Sequence, residues 1–400
     1  MLWAIYLHLY QPPDQTPEVI KNVVEQSYGP IVSILKTHPR GKINLNINGN
    51  LLEQLDQLGY SELIKDIRDL ASQGRIELIG SAKFHAFLPL LPAEERKRQI
   101  IQGIMTADRF FGEQFTKSGF FPTEMSLSLD TVKTAKECGY KYILGDEISA
   151  GGRFGKLKWD RIYNVKGADM DIFFLNRKYS DLLRKSLKLG VEDFEKAISN
   201  FPKDQYLITA TDGEIFGHHY QEREKILAWA LRNPDITTVS FSELSARFTK
   251  KQEIVINKGT WETTEDDINE DVPYPLWKHP DNKIHSLEWK LTEMAIEALK
   301  KEPTDDMELK FASARALLDR GLHSCHYWWA SARPYWSPDM IMKGLNIIIN
   351  AIRTSPTASM KLKREAEGIY SDLIREVWDW HWSGKAQGMI DEWDKVNGKS

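Results

Sequence analysis

Cysteine is scarce in this sequence, with only Cys138 and Cys325 among 400 residues. Two thiols so far apart exclude a disulfide framework and a C-x-x-C metal or redox motif. We therefore expect a reducing, cytoplasmic setting. The N-terminal residues lack the basic region and the full apolar region of a signal peptide, and no apolar run approaches the length of a membrane span.

Strong charge of either sign is also missing. The formal net charge is −4, so the sequence predicts no nucleic-acid partner and no anionic membrane partner. Several short motifs are absent as well: no G-x-G-x-x-G follows the first predicted strand, and there is no Walker-type loop, G-x-S-x-G or H-E-x-x-H. These absences argue against a dinucleotide-binding domain, a P-loop enzyme and a serine hydrolase, and we expect no cofactor.

Tryptophan, in contrast, is abundant, with 13 residues beside 14 Tyr and 16 Phe. Flat aromatic rings pack well in cores, and they also suit the apolar faces of pyranose rings. Several lie in predicted loops beside His, Pro or acidic residues, where sugar stacking and core packing are both open. The candidate stacking residues are Trp261, Trp277, Trp328, Trp329 and Trp336.

The order of predicted elements indicates two domains. Up to about residue 255, an apolar strand, a polar turn and a helix repeat about seven times, which favours a parallel β/α architecture. Beyond residue 281 the strand signals vanish and only helices are predicted. We predict a barrel-type catalytic domain over residues 1–275 and an α-helical domain over 276–400 that completes the cleft. An open, doubly wound sheet is the alternative for the first.

Polar side chains recur where the predicted strands end, and one end of a barrel usually carries the active site. They are His8, Asn48, His85, Glu124, Asp146 and Asp212. The richest stretch is 209–220, in which two carboxylates, two glycines and two histidines follow a buried strand. Asp212 there suits either catalysis or helix capping. Asp146 and its neighbour Glu147 are interpreted as the solvated end of a strand.

Glu124 and Asp212, at two different strand ends, form the candidate catalytic pair. Glycoside hydrolysis needs two carboxyl groups on either side of the bond that breaks, about 5–5.5 Å apart for retention and about 6.5–9.5 Å apart for inversion. A second hypothesis uses His8, His218 and His219 as zinc ligands of a carbohydrate hydrolase or deacetylase. A third is a glycan-binding protein without catalysis.

Four segments resemble glycoside hydrolase family 57, whose members are retaining and act on α-glucans. The family's opening H-x-H-Q-P is matched at residues 8–12, with Tyr10 in place of the second His. Residues 80–92 are similar to a second family segment. Residues 121–124 (Phe-Pro-Thr-Glu) resemble the W-x-P-E segment, and residues 212–219 resemble D-x-E-x-F-G-x-H.

The resemblance implies an α/β fold: an incomplete (β/α)7 barrel followed by the helical domain. It implies that Glu124 is the nucleophile and Asp212 the general acid/base, with no metal and no cofactor. The expected substrate is an α-1,4-linked glucan or maltooligosaccharide, used by an amylase, a 4-α-glucanotransferase or a branching enzyme. We expect the sugar to contact the polar residues His8, Gln11, His85, Glu214, His218 and His219, together with the five tryptophans.

Overall fold

A computed structural model describes residues 1–396 of the chain, which divide into two compact units. The first unit is Met1–Trp261, and the second begins at Glu262. The first holds one large sheet with helices around it, and the second is mostly helical.

The sheet of the first unit has ten strands. Their bounds are β1 Leu2–Leu9, β2 Ile43–Ile47, β3 Ile76–Gly80, β4 Gly119–Phe120, β5 Tyr142–Asp146, β6 Ile162–Val165, β7 Met170–Leu175, β8 Tyr206–Asp212, β9 Thr237–Thr238 and β10 Lys251–Ile254. Every residue of β1, β2 and β5 is buried, as expected of parallel strands that are covered on both faces. These strands therefore run through the centre of the unit.

Seven strands lie parallel in the order β7-β5-β4-β3-β2-β1-β8. At the two ends of this series, the amide of Asn176, just after β7, donates to the carbonyl of Ile208 in β8 over 2.9 Å. The series therefore curls back on itself. Within residues 1–396 no strand ladder joins β7 to β8, because β7 pairs outward with the antiparallel β6 instead. The result is the predicted incomplete (β/α)7 barrel.

Helices connect the parallel strands and cover the outside of the curled sheet. Their bounds are α1 Pro17–Val23, α2 Gly29–Thr37, α3 Gly49–Gln57, α4 Ser61–Ser72, α5 Ala93–Phe111, α6 Leu129–Glu137, α7 Arg177–Lys185, α8 Val191–Ile198, α9 Glu224–Arg232 and α10 Phe241–Arg247. A π-helical turn, Val24–Tyr28, joins α1 to α2. Asn48 begins α3 as a cap, since its side chain accepts from the Asn50 amide over 3.0 Å.

The second unit is built from helices with the bounds α11 Glu265–Asn269, α12 Lys283–Ala298, α13 Glu308–Gly321, α14 Cys325–Trp329, α15 Pro338–Thr354, α16 Met360–Trp382 and α17 Lys385–Val396. The five long helices were predicted from sequence, whereas α11 and α14 were not. α11 precedes residue 281, where the helical prediction begins, and Thr264 and Asp267 form a capping box at its start.

Neither cysteine is in a disulfide. In the part of the chain that the structure describes, no helix is both long and apolar enough to cross a membrane.

Candidate active site

The carboxyl ends of four parallel strands bring the predicted polar residues to one rim of the barrel. His8 is the last residue but one of β1, and it is in register with Asp212, the last residue of β8. His85 and Glu124 follow β3 and β4. Around the curled sheet, β3, β2 and β1 lie between β4 and β8 on one side, and β5 and β7 lie between them on the other. Glu124 and Asp212 therefore start from opposite sides of the curled sheet.

Glu124 has a left-handed backbone, with φ 60° and ψ 22°. This conformation is uncommon for residues other than glycine, and such strain concentrates at functional sites. Trp261 contacts the residue twice: its indole Nε1 donates to Oε2 over 2.7 Å, and its amide donates to the Glu124 carbonyl over 3.3 Å. The carboxylate is thus held in one orientation while its side chain remains 16% exposed.

Two histidines connect the rim between Glu124 and β1. His85 Nδ1 lies 3.7 Å from Glu124 Oε1, and His85 Nε2 lies 2.9 Å from His8 Nε2. His8 Nδ1 is 2.7 Å from Asn46 Oδ1. Burial lowers the pKa of His8, opposed by the charge of Asp212, so the buried ring is neutral at pH 7. His85, like Glu124, has a left-handed φ, of 57°.

Tyr10, which replaces the second His of the family's opening motif, packs on this histidine pair. Its ring lies parallel to that of His85, with centroids 3.8 Å apart and planes 15° apart. It covers one face of His85. The aromatic replacement therefore supports the histidine by stacking.

Asp212 and Glu214 differ in environment although one residue separates them. Asp212 is exposed, whereas the Glu214 side chain is only 12% exposed. Glu214 Oε1 accepts from Gln11 Nε2 over 3.0 Å and from the Tyr28 hydroxyl. Burial, and then the charge of Asp212, raise the pKa of Glu214 to about 8. Glu214 therefore binds its proton more tightly than an ordinary carboxyl group does, close to the exposed Asp212.

The remaining predicted histidines lie just beyond β8. His218 Nδ1 is 2.7 Å from Gln26 Oε1, and His219 Nε2 is 3.9 Å from Glu214 Oε2. In His8, the Nδ1 atom contacts Asn46 and the Nε2 atom contacts His85, so both ring nitrogens have protein partners. Within residues 1–396, no three His, Cys, Asp or Glu side chains are grouped so as to hold a metal ion. The three histidines of the zinc hypothesis are thus not gathered as a ligand set.

The predicted stacking tryptophans are distributed over both units. Trp261 is in the first unit at Glu124, and Trp328, Trp329 and Trp336 are half-buried in the second. Trp277 is fully buried, and its carbonyl accepts from Trp289 Nε1 over 2.8 Å. Neither face of the Trp277 ring is open to a sugar, in contrast to its predicted stacking role.

The interpretation of Asp146 and Glu147 as a solvated strand end was wrong. Asp146 is 0% exposed and Glu147 is 5% exposed. Arg177 donates from Nε and Nη2 to the two oxygens of Asp146, each over 2.7 Å. Burial raises the pKa of Asp146, while Arg177 opposes that shift. Asp146 therefore belongs to a buried ion pair beneath the rim.

Sequence reasoning missed three residues that contact the site: Asn46, Tyr28 and Arg184. Asn46 is a buried residue of β2. A buried asparagine in a strand needs hydrogen-bond partners, so this residue type was a usable signal. Tyr28, in the π-helical turn, and Arg184, whose guanidinium lies 4.8 Å from the Trp261 ring centroid, gave no signal in the sequence.

Comparison with known proteins adds sequence relatives. The family model described as Glycosyl hydrolase family 57 matches residues 8–257. A 4-alpha-glucanotransferase of Thermococcus litoralis is 26% identical over 215 residues, and an alpha-amylase of Pyrococcus abyssi is 24% identical over 214 residues. Each alignment covers 53% of this chain and 32% of the relative. The chain thus spans about a third of the length of the curated relatives that it matches.

Solved structures share the fold. The crystal structure of 4-alpha-glucanotransferase from Thermococcus litoralis matches with a TM-score of 0.68 at 18% identity, covering 88% of this chain and 60% of that one. A branching enzyme from Thermococcus kodakaraensis matches with a TM-score of 0.68 at 15% identity, covering 94% of this chain and 95% of that one. At these identities the likeness concerns the fold alone. Because the family model spans more than half of the sequence, the chain belongs to glycosyl hydrolase family 57.

Proposed function

We propose that this protein is a retaining glycoside hydrolase or transglycosylase that acts on α-glucans, with Glu124 as nucleophile and Asp212 as general acid/base. One observation carries the proposal: two carboxylates end or follow strands on opposite sides of the curled sheet, at the same rim. A glycosidic bond held over that rim would lie between them. Two carboxyl groups that flank the bond are the requirement of this chemistry.

In the first step, a carboxylate oxygen of Glu124 attacks the anomeric carbon. The bond from that carbon to the leaving oxygen breaks, and the leaving oxygen takes the proton of Asp212. The products are a covalent glycosyl-enzyme and a shortened glucan with a free hydroxyl.

In the second step, Asp212 removes a proton from water or from a glucan hydroxyl. The activated oxygen attacks the anomeric carbon, and the ester bond to Glu124 breaks, which restores both carboxyl groups to their initial states. Two displacements at one carbon retain its configuration. Water as acceptor gives hydrolysis, and a glucan hydroxyl gives transfer or branching.

The substrate class is supported by the relatives, which are named for 4-alpha-glucanotransferase and alpha-amylase activity. We assign sugar contacts to the rim residues of the first unit, and the reaction as written needs no cofactor. These residues are His8, Gln11, His85, Glu214, His218 and His219. In the second unit, we assign a sugar-stacking role to the half-buried Trp328, Trp329 and Trp336. A cytoplasmic location, consistent with two cysteines that are not in a disulfide, is part of the proposal.

The test combines product analysis with variants of the two acids. Wild type should convert amylose and maltooligosaccharides, and the product profile separates hydrolysis, transfer and branching. Glu124→Gln and Asp212→Asn should each lower kcat by about a thousandfold or more with the melting temperature unchanged. The exposed Glu113→Gln is the matched control and should keep full activity.

Azide assigns the two roles separately, because it is small enough to occupy the space of a deleted carboxylate. With an activated α-glucoside, Glu124→Ala should yield a glycosyl azide of inverted configuration, and Asp212→Ala one of retained configuration. Wild-type turnover in either Glu124→Gln or Asp212→Asn rejects the assignment. Inverted products from the wild type, followed by NMR of the anomeric proton, reject the retaining mechanism.

A further inference from the structure

We propose that Trp261 positions the nucleophile through its indole N–H, and that Arg184 holds the indole in place for this task. The inference rests on the proposed function, because it concerns Glu124 as the group that forms the glycosyl-enzyme. It gives Trp261 a different role from that of a sugar platform.

Trp261 contacts Glu124 at both its backbone and its side chain. The indole Nε1 lies 2.7 Å from Oε2, and the Trp261 amide lies 3.3 Å from the Glu124 carbonyl. Glu124 has a left-handed backbone, a conformation that persists only where the surroundings enforce it. The two hydrogen bonds from one residue fix the strained backbone and the plane of the carboxylate together.

Arg184, near the end of α7, covers one face of the Trp261 ring. Its guanidinium carbon lies 4.8 Å from the ring centroid, and its side chain is only 13% exposed. The guanidinium also pairs with Asp181, and the Arg184 carbonyl accepts from the Tyr220 hydroxyl over 2.8 Å. A cation at this distance over an indole is attracted by the ring, more strongly when desolvated. The ring face toward α7 is therefore occupied by protein.

The indole hydrogen bond acts differently on the two displacements. In the glycosyl-enzyme, Glu124 is a neutral ester, and negative charge returns to its oxygens as the ester bond breaks. A hydrogen bond to an ionised oxygen is stronger than one to a neutral oxygen. The indole N–H therefore favours departure of the carboxylate in the second step, and its removal slows that step most.

Trp261→Phe tests the inference because it keeps an aromatic ring and removes the N–H donor. With an activated maltooligosaccharide such as a 4-nitrophenyl α-maltoside, we expect kcat to fall about 10- to 100-fold, the effect of losing one hydrogen bond to a charged group. KM should fall as well, because the glycosyl-enzyme accumulates. Stopped-flow mixing should show a burst of nitrophenol, and mass spectrometry should detect the trapped intermediate on Glu124.

Trp159→Phe is the matched control, because Trp159 is another half-buried indole packed against the same core. Its carbonyl accepts from the amide of Tyr206 at the start of β8, whereas the rim lies at the other end of that strand. This control should leave kcat, KM and the absence of a burst unchanged. Arg184→Met keeps the indole donor but removes the cation over the ring. It should lower kcat and KM and produce a burst, as Trp261→Phe does, but to a smaller extent. It also serves as the second variant if Trp261→Phe does not fold.

A rise in KM with unchanged kcat in Trp261→Phe would mean that the ring binds sugar by stacking, and it would overturn the inference. So would unchanged kinetics in both Trp261→Phe and Arg184→Met. Failure of the proposed function looks different: wild type would form no glycosyl-enzyme and azide would not rescue Glu124→Ala.

Discussion

The Nε2 atoms of His8 and His85 lie 2.9 Å apart and are joined by one hydrogen bond, so only one of the two atoms carries a proton. The neighbouring contacts decide which ring carries it. Asn46 Nδ2 donates to the Ile79 carbonyl over 2.6 Å, so Asn46 Oδ1 is the atom that faces His8 Nδ1. His8 Nδ1 must then be protonated. In a neutral His8 the Nε2 atom is the acceptor, and His85 Nε2 is the donor.

We predict that Asn46→Leu releases this arrangement. In wild type, nitrogen NMR of labelled histidine should show His8 protonated at Nδ1 and His85 at Nε2. In Asn46→Leu the His8 ring loses its acceptor, so the His8 tautomers should mix. We expect kcat/KM to fall about tenfold or more, because His85 lies beside Glu124 and loses its fixed orientation.

Asn44→Leu provides the control, since Asn44 is equally buried in β2 but bonds only to backbone groups. It should lower stability while leaving the tautomers of His8 and His85 unchanged. Opposite tautomers in wild type would contradict the assignment from Asn46.

The barrel was predictable because its signals are local. The β1 strand, Leu2–Leu9, is an example, since a run of apolar residues that soon meets Pro-Pro has few other solutions. The β10 strand, Lys251–Ile254, was missed because its residues are mostly polar and exposed. An edge strand of that composition is specified by its pairing with β6 and not by its own sequence.

Glu214 should make the folded protein less stable as the pH rises. Its pKa is raised from 4.5 to about 8, by burial first and then by Asp212. The folded state therefore binds this proton more tightly than the unfolded state does. The stability that this proton contributes is fully present below about pH 4.5 and is lost progressively between about pH 4.5 and about pH 8. The titratable groups that face Glu214 are Asp212, Tyr28 and His219.

We predict that Glu214→Gln removes this dependence, because a neutral amide keeps the acceptor for Gln11 and Tyr28 and cannot ionise. Between pH 5 and pH 8.5, the free energy of unfolding of wild type should fall by at least about 1.4 kcal/mol more than that of the variant, the value of one pKa unit. Denaturant titrations at the two pH values measure it. The exposed Glu113→Gln should retain the wild-type slope, and a slope for Glu214→Gln equal to that of wild type would show that Glu214 is already ionised at pH 5.

Candidate site residues could be named from sequence motifs, but their environments could not. Motif positions identified Glu124, Asp212 and Glu214, yet only the fold separates an exposed Asp212 from a buried Glu214. Burial depends on what the neighbouring elements bring, here the Tyr28 hydroxyl from the π-helical turn. The same limit explains why a stacking role was predicted for the buried Trp277. The sequence around a tryptophan beside prolines is the same whether its ring is buried or open to solvent.

The buried pair of Asp146 and Arg177 should be essential to both stability and the site. Arg177 Nη2 also donates to the carbonyl of Thr260 over 3.1 Å, so the pair anchors the segment that ends in Trp261. Asp146→Ala leaves a guanidinium buried without its carboxylate, and we expect a loss of about 3–5 kcal/mol in the free energy of unfolding. Because Thr260 precedes Trp261, the kcat of the folded fraction should fall as well.

Asp69→Ala is the matched control, because Asp69 pairs with Lys65 on α4 at 3.3 Å with about half of each side chain exposed. Exposed pairs contribute little, so this variant should cost less than about 0.5 kcal/mol. The double variant Asp146→Leu with Arg177→Met should recover part of the stability, because it leaves no unpaired charge. Its kcat should stay low, because the change at Arg177 removes the donor to the Thr260 carbonyl. A cost below about 1 kcal/mol for Asp146→Ala would mean that the guanidinium reaches solvent once its partner is gone, and the pair would then not be what anchors Trp261 at Glu124.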